Sequence, residues 1–291
     1  MPNVLVTGSN GQLGSEIKDL SEDYLYNFFF TTRKTLDITK KIDVEKFCIE
    51  HNIKVIINCA AYTAVDQAEE DKVNADSINH LAVQYMAEIA KEKQIQLIHI
   101  STDYVFDGKS YTPYTEEDVT NPQGVYGKTK LLGEEVLKAI NPKGAIIIRT
   151  SWVYSTFGAN FVKTMLTLGK DRNDLSVIFD QVGTPTYARD LAKAILDIIQ
   201  QSTNNYHSLE IYHYSNEGVC SWYDFAKAIF ELSDTKCIVT PIETKEYPTP
   251  AERPHYTLLN KSKIKNRYNI TIPYWRDSLT VALKKIERSA C

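Results

Sequence analysis

Near the start of the chain, Asn3-Val4-Leu5-Val6-Thr7 is followed by Gly8-Ser9-Asn10-Gly11-Gln12-Leu13-Gly14 and then by Ser15–Leu20. A short apolar strand, a glycine-rich turn and an amphipathic helix in that order restrict the fold more than any other stretch. The glycines let a phosphate group approach the backbone, and the helix start offers N–H donors and the positive end of its dipole. A GxxGxxG pattern alone marks only a turn that needs positive φ. The strand before it and the helix after it are the context that points to a dinucleotide pyrophosphate.

The same alternation continues. Strands are expected within Tyr24–Thr32 and over Ile53–Cys59, Gln96–Ser101 and Ala145–Thr150. Most are unbroken apolar runs, as in parallel sheets covered on both faces. Helices are expected at Val44–His51, Asp76–Lys93 and from Tyr126 to about Ile140. Strand and helix in turn predict an α/β fold, a Rossmann-type doubly wound parallel sheet. At the end of the second strand, where an acid commonly meets the adenosine ribose, the chain has Thr32, Arg33 and Lys34. Nothing there repels a 2′-phosphate and Arg33 can fork onto one, so NADPH is expected and NADH is possible. Asp37, followed by Ile38, either reaches the adenine region or caps the helix after it. Asn79 is expected to be a buried amide serving backbone groups. The acidic run Asp66–Asp71 reads as a solvated face.

Tyr126 and Lys130 are four apart and share one face of a helix. A neighbouring cation lowers the pKa of a phenol, which makes it a better acid-base group near neutral pH. Thr102 closes an apolar run, so its hydroxyl stands at the sheet edge where ligands bind, with Asp103 beside it. Trp152 follows the fifth strand at the same edge and is either a sugar contact or a core aromatic. Beyond residue 150 helices are expected at Asn160–Gly169, Thr186–Gln200, Trp222–Glu231 and Trp275–Glu287, with short strands and a polar linker Gln201–His207 between them. This predicts a smaller C-terminal α/β substrate lobe. Residues 1–150 with about 184–214 would form the cofactor domain, and about 151–183 with 215–291 the lobe. The proline-rich Tyr247–Pro254 reads as a loop over the site, with Arg253 available to a phosphate.

Net charge is −4 with no basic block, which excludes nucleic acid or an anionic membrane as an obvious partner. The longest apolar runs fall short of a membrane span. The 5 cysteines are scattered and the 6 histidines lack ligand spacing, so reduced thiols, a cytoplasmic setting and no metal site are expected. The chain begins directly with a strand, so no signal peptide is expected.

Taken together, Gly8/Gly11/Gly14, AAYTAVDQAE at 60–69, STDYVFDG at 101–108, YGKTK at 126–130, RTSWVY at 149–154, DQVGTPT at 180–186 and ERP at 252–254 resemble the dTDP-4-dehydrorhamnose reductases, of the extended short-chain dehydrogenase/reductase superfamily. The resemblance spans nearly the whole chain. It implies reduction of the 4-keto group of dTDP-4-dehydro-L-rhamnose, with a dTDP-sugar as partner and a monomer or homodimer as the working form. It implies Tyr126 as proton donor, Lys130 as the group binding nicotinamide ribose, and Thr102 as the hydroxyl that orients Tyr126 and substrate. It places Gly11, Gln12, Leu13, Ala61, Tyr62 and Thr63 against cofactor, with Gly8 in the same turn, and Asp103 and Trp152 against substrate. Some members are dimers bridged by Mg²⁺ on acids. Glu16 lies at one such position, but Arg189 stands where a second acid would. The rival readings are a nucleotide-sugar epimerase or 4,6-dehydratase, and a non-catalytic subunit like the regulatory subunit of methionine adenosyltransferase.

Overall fold

The computed structural model describes residues 1–201 and 208–290, so residues 202–207 of the expected linker lie outside it. Six strands form one parallel sheet: β1 (Asn3–Thr7), β2 (Asn27–Phe30), β3 (Ile53–Asn58), β4 (Gln96–Thr102), β5 (Ile146–Thr150) and β6 (Glu210–His213). Their order across the sheet is β2-β1-β3-β4-β5-β6. The chain leaves β1 toward one edge and returns on its other side as β3. The topological switch therefore lies between β1 and β3, where open parallel sheets form their ligand crevice.

The apolar runs are buried because helices cover both faces. On one face Val4, Val6, Ile57 and Ile148 meet Ile17 and Leu20 of helix Gln12–Leu20 and Leu191, Ile195 and Ile198 of helix Ala188–Gln201. Ile264 and Tyr268 of helix Ser262–Tyr268 join this core, although the sequence assigns them to the second lobe. On the other face Leu5, Ile56, Leu97 and Ile147 meet Val44, Val83, Met86 and Leu137 from helices Lys41–Glu50, Ala82–Lys93 and Val125–Ile140. Each such side chain contributes roughly 1.5–3 kcal/mol by leaving water. A third core, around Tyr154, Phe225, Ile229, Trp275 and Leu279, sits among the C-terminal elements. Asp174–Ile178 pairs there with Ile238–Ile242. Among the described residues no helix is long and apolar enough to cross a membrane.

Two expected helices differ. The segment expected as one helix over Asp76–Lys93 is broken by a π-helical turn at Ser77–Leu81, between Lys72–Asp76 and Ala82–Lys93. Asn79 lies in this wide turn, and its carbonyl is so close to helix Val125–Ile140 that a Cβ on Gly133 would fall 2.3 Å from it. The helix expected from Thr186 begins at Ala188, because Thr186-Tyr187 pairs as a strand with Val153-Tyr154.

Near their C-terminal ends the strands carry two polar rows on one face. Register sets Thr7 beside Asn58 and Asn58 beside His99. Two residues on, Ser101 lies beside Arg149 and Arg149 beside His213. All six are buried. Helix Val125–Ile140 crosses both rows. Lys130 Nζ meets His99 Nε2 at 3.3 Å, and one turn later Glu134 receives Arg149 Nε at 2.9 Å and Nη2 at 2.7 Å. Ser101 Oγ also donates to Glu134, at 2.6 Å. Removing one member of a buried, forked ion pair strands the other charge. Glu134→Ala should therefore cost about 3–5 kcal/mol in denaturant unfolding, and Glu134→Leu with Arg149→Met should recover most of it. A loss below about 1 kcal/mol in the single variant would contradict this role of the pair.

Candidate active site

A cleft of about 450 Å³ opens at the switch point. Its glycine turn admits no side chain at Gly8, where φ is +64° and a Cβ would lie 2.7 Å from Ala60 N. A Cβ on Gly14 would lie 2.5 Å from Gly8 O, so the helix can start tight against the turn only with glycine there. The first N–H groups of helix Gln12–Leu20 have no intrahelical acceptor. A backbone cradle that a Cβ would fill, next to unpaired N–H donors, fits a pyrophosphate. Gly8 and Gly11, Ala61-Tyr62-Thr63 after β3, and Thr32, Arg33, Asp37 and Ile38 after β2 all line the cleft. The side chains of two expected cofactor residues lie elsewhere. Leu13 is core. Gln12 donates to Val153 O at 3.3 Å and accepts from Asn160 Nδ2 at 3.0 Å, tying the turn to the C-terminal elements.

The loop after β3 is held from below. Asn79 Oδ1 accepts from Tyr62 N at 2.9 Å, and its Nδ2 donates to Tyr62 O at 3.1 Å and to Thr129 Oγ1 at 3.2 Å. That is the backbone-serving amide the sequence suggests. Tyr62 OH donates to Asp71, and Glu69 Oε1 accepts from Val125 N at 2.8 Å at the start of the Tyr126 helix. The acidic run 66–71 is thus not simply a solvated face. Asp37 accepts from Thr39 N and Oγ1, which holds its carboxyl below the usual range. It closes the turn before helix Lys41–Glu50, whose N-terminus has no side-chain cap, and faces the cleft.

Thr102 ends β4, and Tyr126 lies in the first turn of helix Val125–Ile140. A Cβ on Gly127 would lie 2.3 Å from Tyr104 O, so glycine lets this turn settle onto the Thr102–Tyr104 segment. Tyr104 and Tyr126 meet edge to face at 5.5 Å. Burial pushes the Tyr126 phenol up to about 12, and the Thr102 hydroxyl pulls it the other way. Lys130 Nζ donates to Ile100 O at 2.6 Å and meets His99, and burial brings it down to about 8. The expectation that Lys130 depresses the phenol is therefore not met in the protein alone. The amine head is turned to the strand, and desolvation dominates at Tyr126. A phenol held protonated beside a hydroxyl is suited to giving a proton to an oxygen that gains charge.

Residues 2–288 match the family model described as "RmlD substrate binding domain". The chain belongs to this family. It is 41% identical to a dTDP-4-dehydrorhamnose reductase of Aggregatibacter actinomycetemcomitans, over 96% of this chain and 97% of that one. It is 40% identical to the spore coat polysaccharide biosynthesis protein SpsK of Bacillus subtilis (strain 168), over 100% of both. A crystal structure of dTDP-4-dehydrorhamnose reductase from Bacillus anthracis str. Ames in complex with NADP superposes with a TM-score of 0.91 at 38% identity, covering 98% of this chain and 100% of that one.

For an RmlD-family chain, the remaining expected residues are placed as follows. Arg253 does not stand open to a phosphate: it forks onto Asp66 with Nη1 at 2.8 Å and Nη2 at 2.7 Å, and also donates to Ala251 O. Trp152 adopts φ +47° and stacks on Trp222 at 3.7 Å, half-buried against the third core. Arg189 pairs with Glu16, which is buried and also accepts from Ser155 Oγ at 2.6 Å, and with Asp19. Among the described residues no cluster of three His, Cys, Asp or Glu side chains could hold a metal ion.

Asp103 accepts from Thr102 Oγ1 at 2.9 Å, while its Oδ2 is buried without a partner. Burial raises its carboxyl to about 7, against the hydrogen bond from Thr102, which lowers it. Between about pH 4, the ordinary carboxylate range, and pH 7 the folded chain holds a proton that the unfolded chain releases. The stability this brings is full below about pH 4 and lost as pH rises through 7. Asp103→Asn should therefore melt several degrees above wild type at pH 8, with the gain shrinking toward pH 4. Equal melting temperatures at pH 8 would contradict a buried, costly carboxylate.

Proposed function

We propose that this chain is an NADPH-dependent oxidoreductase that reduces the 4-keto group of dTDP-4-dehydro-L-rhamnose to give dTDP-L-rhamnose. The observation that carries the reading is Thr102 at the end of β4 and Tyr126 and Lys130 in the helix over it, in a fold whose glycine cleft fits a pyrophosphate. The relatives named as dTDP-4-dehydrorhamnose reductases support the substrate, and the NADP complex of the Bacillus anthracis protein supports the cofactor. Reduced nicotinamide, when bound, supplies the hydride. Tyr126 gives its proton to the oxygen that was the ketone, Thr102 donates a hydrogen bond to that oxygen, and Lys130 serves the ribose and the phenolate that remains. Asp103 and Trp152 contact the hexose. Arg253 serves the substrate's phosphates, an anion for which Asp66 stands in within the protein alone.

In this reading the cluster around Tyr154, Phe225 and Trp275 is the substrate lobe, and helix Ser262–Tyr268 belongs with the cofactor half. The setting is the cytoplasm, where reduced cofactor and nucleotide sugar meet. Tyr104 follows Asp103 where a dehydratase would need a second carboxylate.

The direct test is consumption of NADPH by the purified chain when the keto-sugar nucleotide is added; no consumption beyond the protein-free rate would overturn the proposal. Tyr126→Phe should keep cofactor affinity and lose about 10²–10⁴-fold in kcat. Near-wild-type turnover would remove Tyr126 from the mechanism. Arg33 is exposed beside Thr32 at the lip of the cleft. Arg33→Ala should weaken NADPH selectively, and Thr32→Asp should shift the ratio of kcat/KM values toward NADH. A ratio unmoved by Arg33→Ala would place the 2′-phosphate elsewhere.

A further inference from the structure

Lys130 has a buried neighbour that the reading above does not use. His99 is fully buried, comes from β4, and sits in the row Thr7–Asn58–His99 under the lysine. The hydrogen bonds along this row fix where its proton lies. Ala60 N donates to Asn58 Oδ1 at 3.2 Å, and the Thr7 hydroxyl donates to the same oxygen at 2.7 Å. An amide N–H can only donate, so that atom of Asn58 is the oxygen and the other is Nδ2. Nδ2 faces His99 Nδ1 at 3.0 Å. Since Nδ2 can only donate, Nδ1 must carry the lone pair. Burial holds His99 well below its ordinary value, so the ring is neutral and its one proton lies on Nε2. That N–H points at Lys130 Nζ, 3.3 Å away. An ammonium would set N–H against N–H, whereas an amine offers a lone pair.

We propose that His99 is a positioning residue whose tautomer, set by Asn58 and Ala60, governs the proton state of Lys130 by supporting its amine form. The other charge bearing on Lys130 comes from Glu134 on its own helix. Glu134 favours the ammonium, but the Arg149 fork from β5 largely neutralises it. Asp103, beyond Thr102, acts on Tyr126. Lys130 is therefore a lysine poised between its two forms rather than a fixed cation.

The proposal takes the role of Lys130 from the function above, but its test reads protonation rather than turnover, so the two can fail separately. The probe is NMR of the full chain with ¹⁵N in the histidine rings and ¹³C at lysine Cε. His99 is assigned by its loss in His99→Gln or through its contact with labelled Lys130. The expected result is a neutral His99 from pH 6 to 9 with its proton on Nε2, and a Lys130 that titrates well below an ordinary lysine. In Asn58→Asp the donor to Nδ1 becomes an acceptor, the ring proton moves to Nδ1, and the Lys130 midpoint should rise by about one pH unit or more beyond the rise in Asn58→Asp with His99→Gln, where the new carboxylate acts by its charge alone. A proton on Nδ1 in wild type would overturn the proposal, and so would an equal rise of the Lys130 midpoint in folded Asn58→Asp with and without His99→Gln. Should Asn58→Asp not fold, the wild-type tautomer decides alone.

Discussion

The structure depends on how one helix is seated. Val125–Ile140 lies on the sheet through two polar side chains one turn apart, Lys130 over the Thr7–Asn58–His99 row and Glu134 over the Ser101–Arg149–His213 row. Apolar contacts tolerate a small shift of a helix along a sheet through side-chain repacking. A bidentate Arg–Glu contact tolerates no such shift, and it fixes the turn on which Tyr126 stands. The same seating presses Gly127 onto Tyr104 and Gly133 onto Asn79, whose amide in turn holds the Tyr62 backbone at the cleft. Tyr126 and the loop at the cleft are thus positioned by one set of contacts.

Burial acts on the titratable groups of this region in one direction. Asp103 is raised to about 7, Lys130 is lowered to about 8, Tyr126 is raised to about 12 and His213 is lowered to about 3, each toward its neutral form. Arg149 and Glu134 are charged in the same environment because each satisfies the other. With Asp103 at about 7 and Lys130 at about 8, the charge of the site changes close to neutral pH. Charges brought by cofactor or substrate then act through a weakly screening medium, and a small change in proton position has a large effect.

Much of the fold was legible in the sequence because its signals are local. The glycine turn lies within seven residues, and the β-branched runs announce strands buried on both faces. That Tyr126 and Lys130 lie one turn apart in a helix was legible for the same reason. The partnerships that give them their properties are not local. Asn58 and His99 are 41 residues apart, and Arg253 and Asp66 are 187 apart. A histidine within an apolar run reads as an ordinary core residue, and only strand register shows that Thr7, Asn58 and His99 form a row. A signal did exist: several of the buried strands end in polar residues, which an apolar core does not need. Spacing says which residues share a helix face, but not where a lysine head points, and the Lys130 head is turned to the strand. The π-helical turn at Asn79 was invisible for a related reason, since it lies where Asn79 meets a neighbouring helix.

The most direct test of the account follows the hydride. Dideuterated at C4 of its nicotinamide, NADPH should deliver one deuterium to C4 of the sugar in dTDP-L-rhamnose, with one NADP⁺ formed per product. A sugar nucleotide that leaves without deuterium, or a cofactor that is reduced again within the same turnover, as in an epimerase or dehydratase cycle, would contradict it.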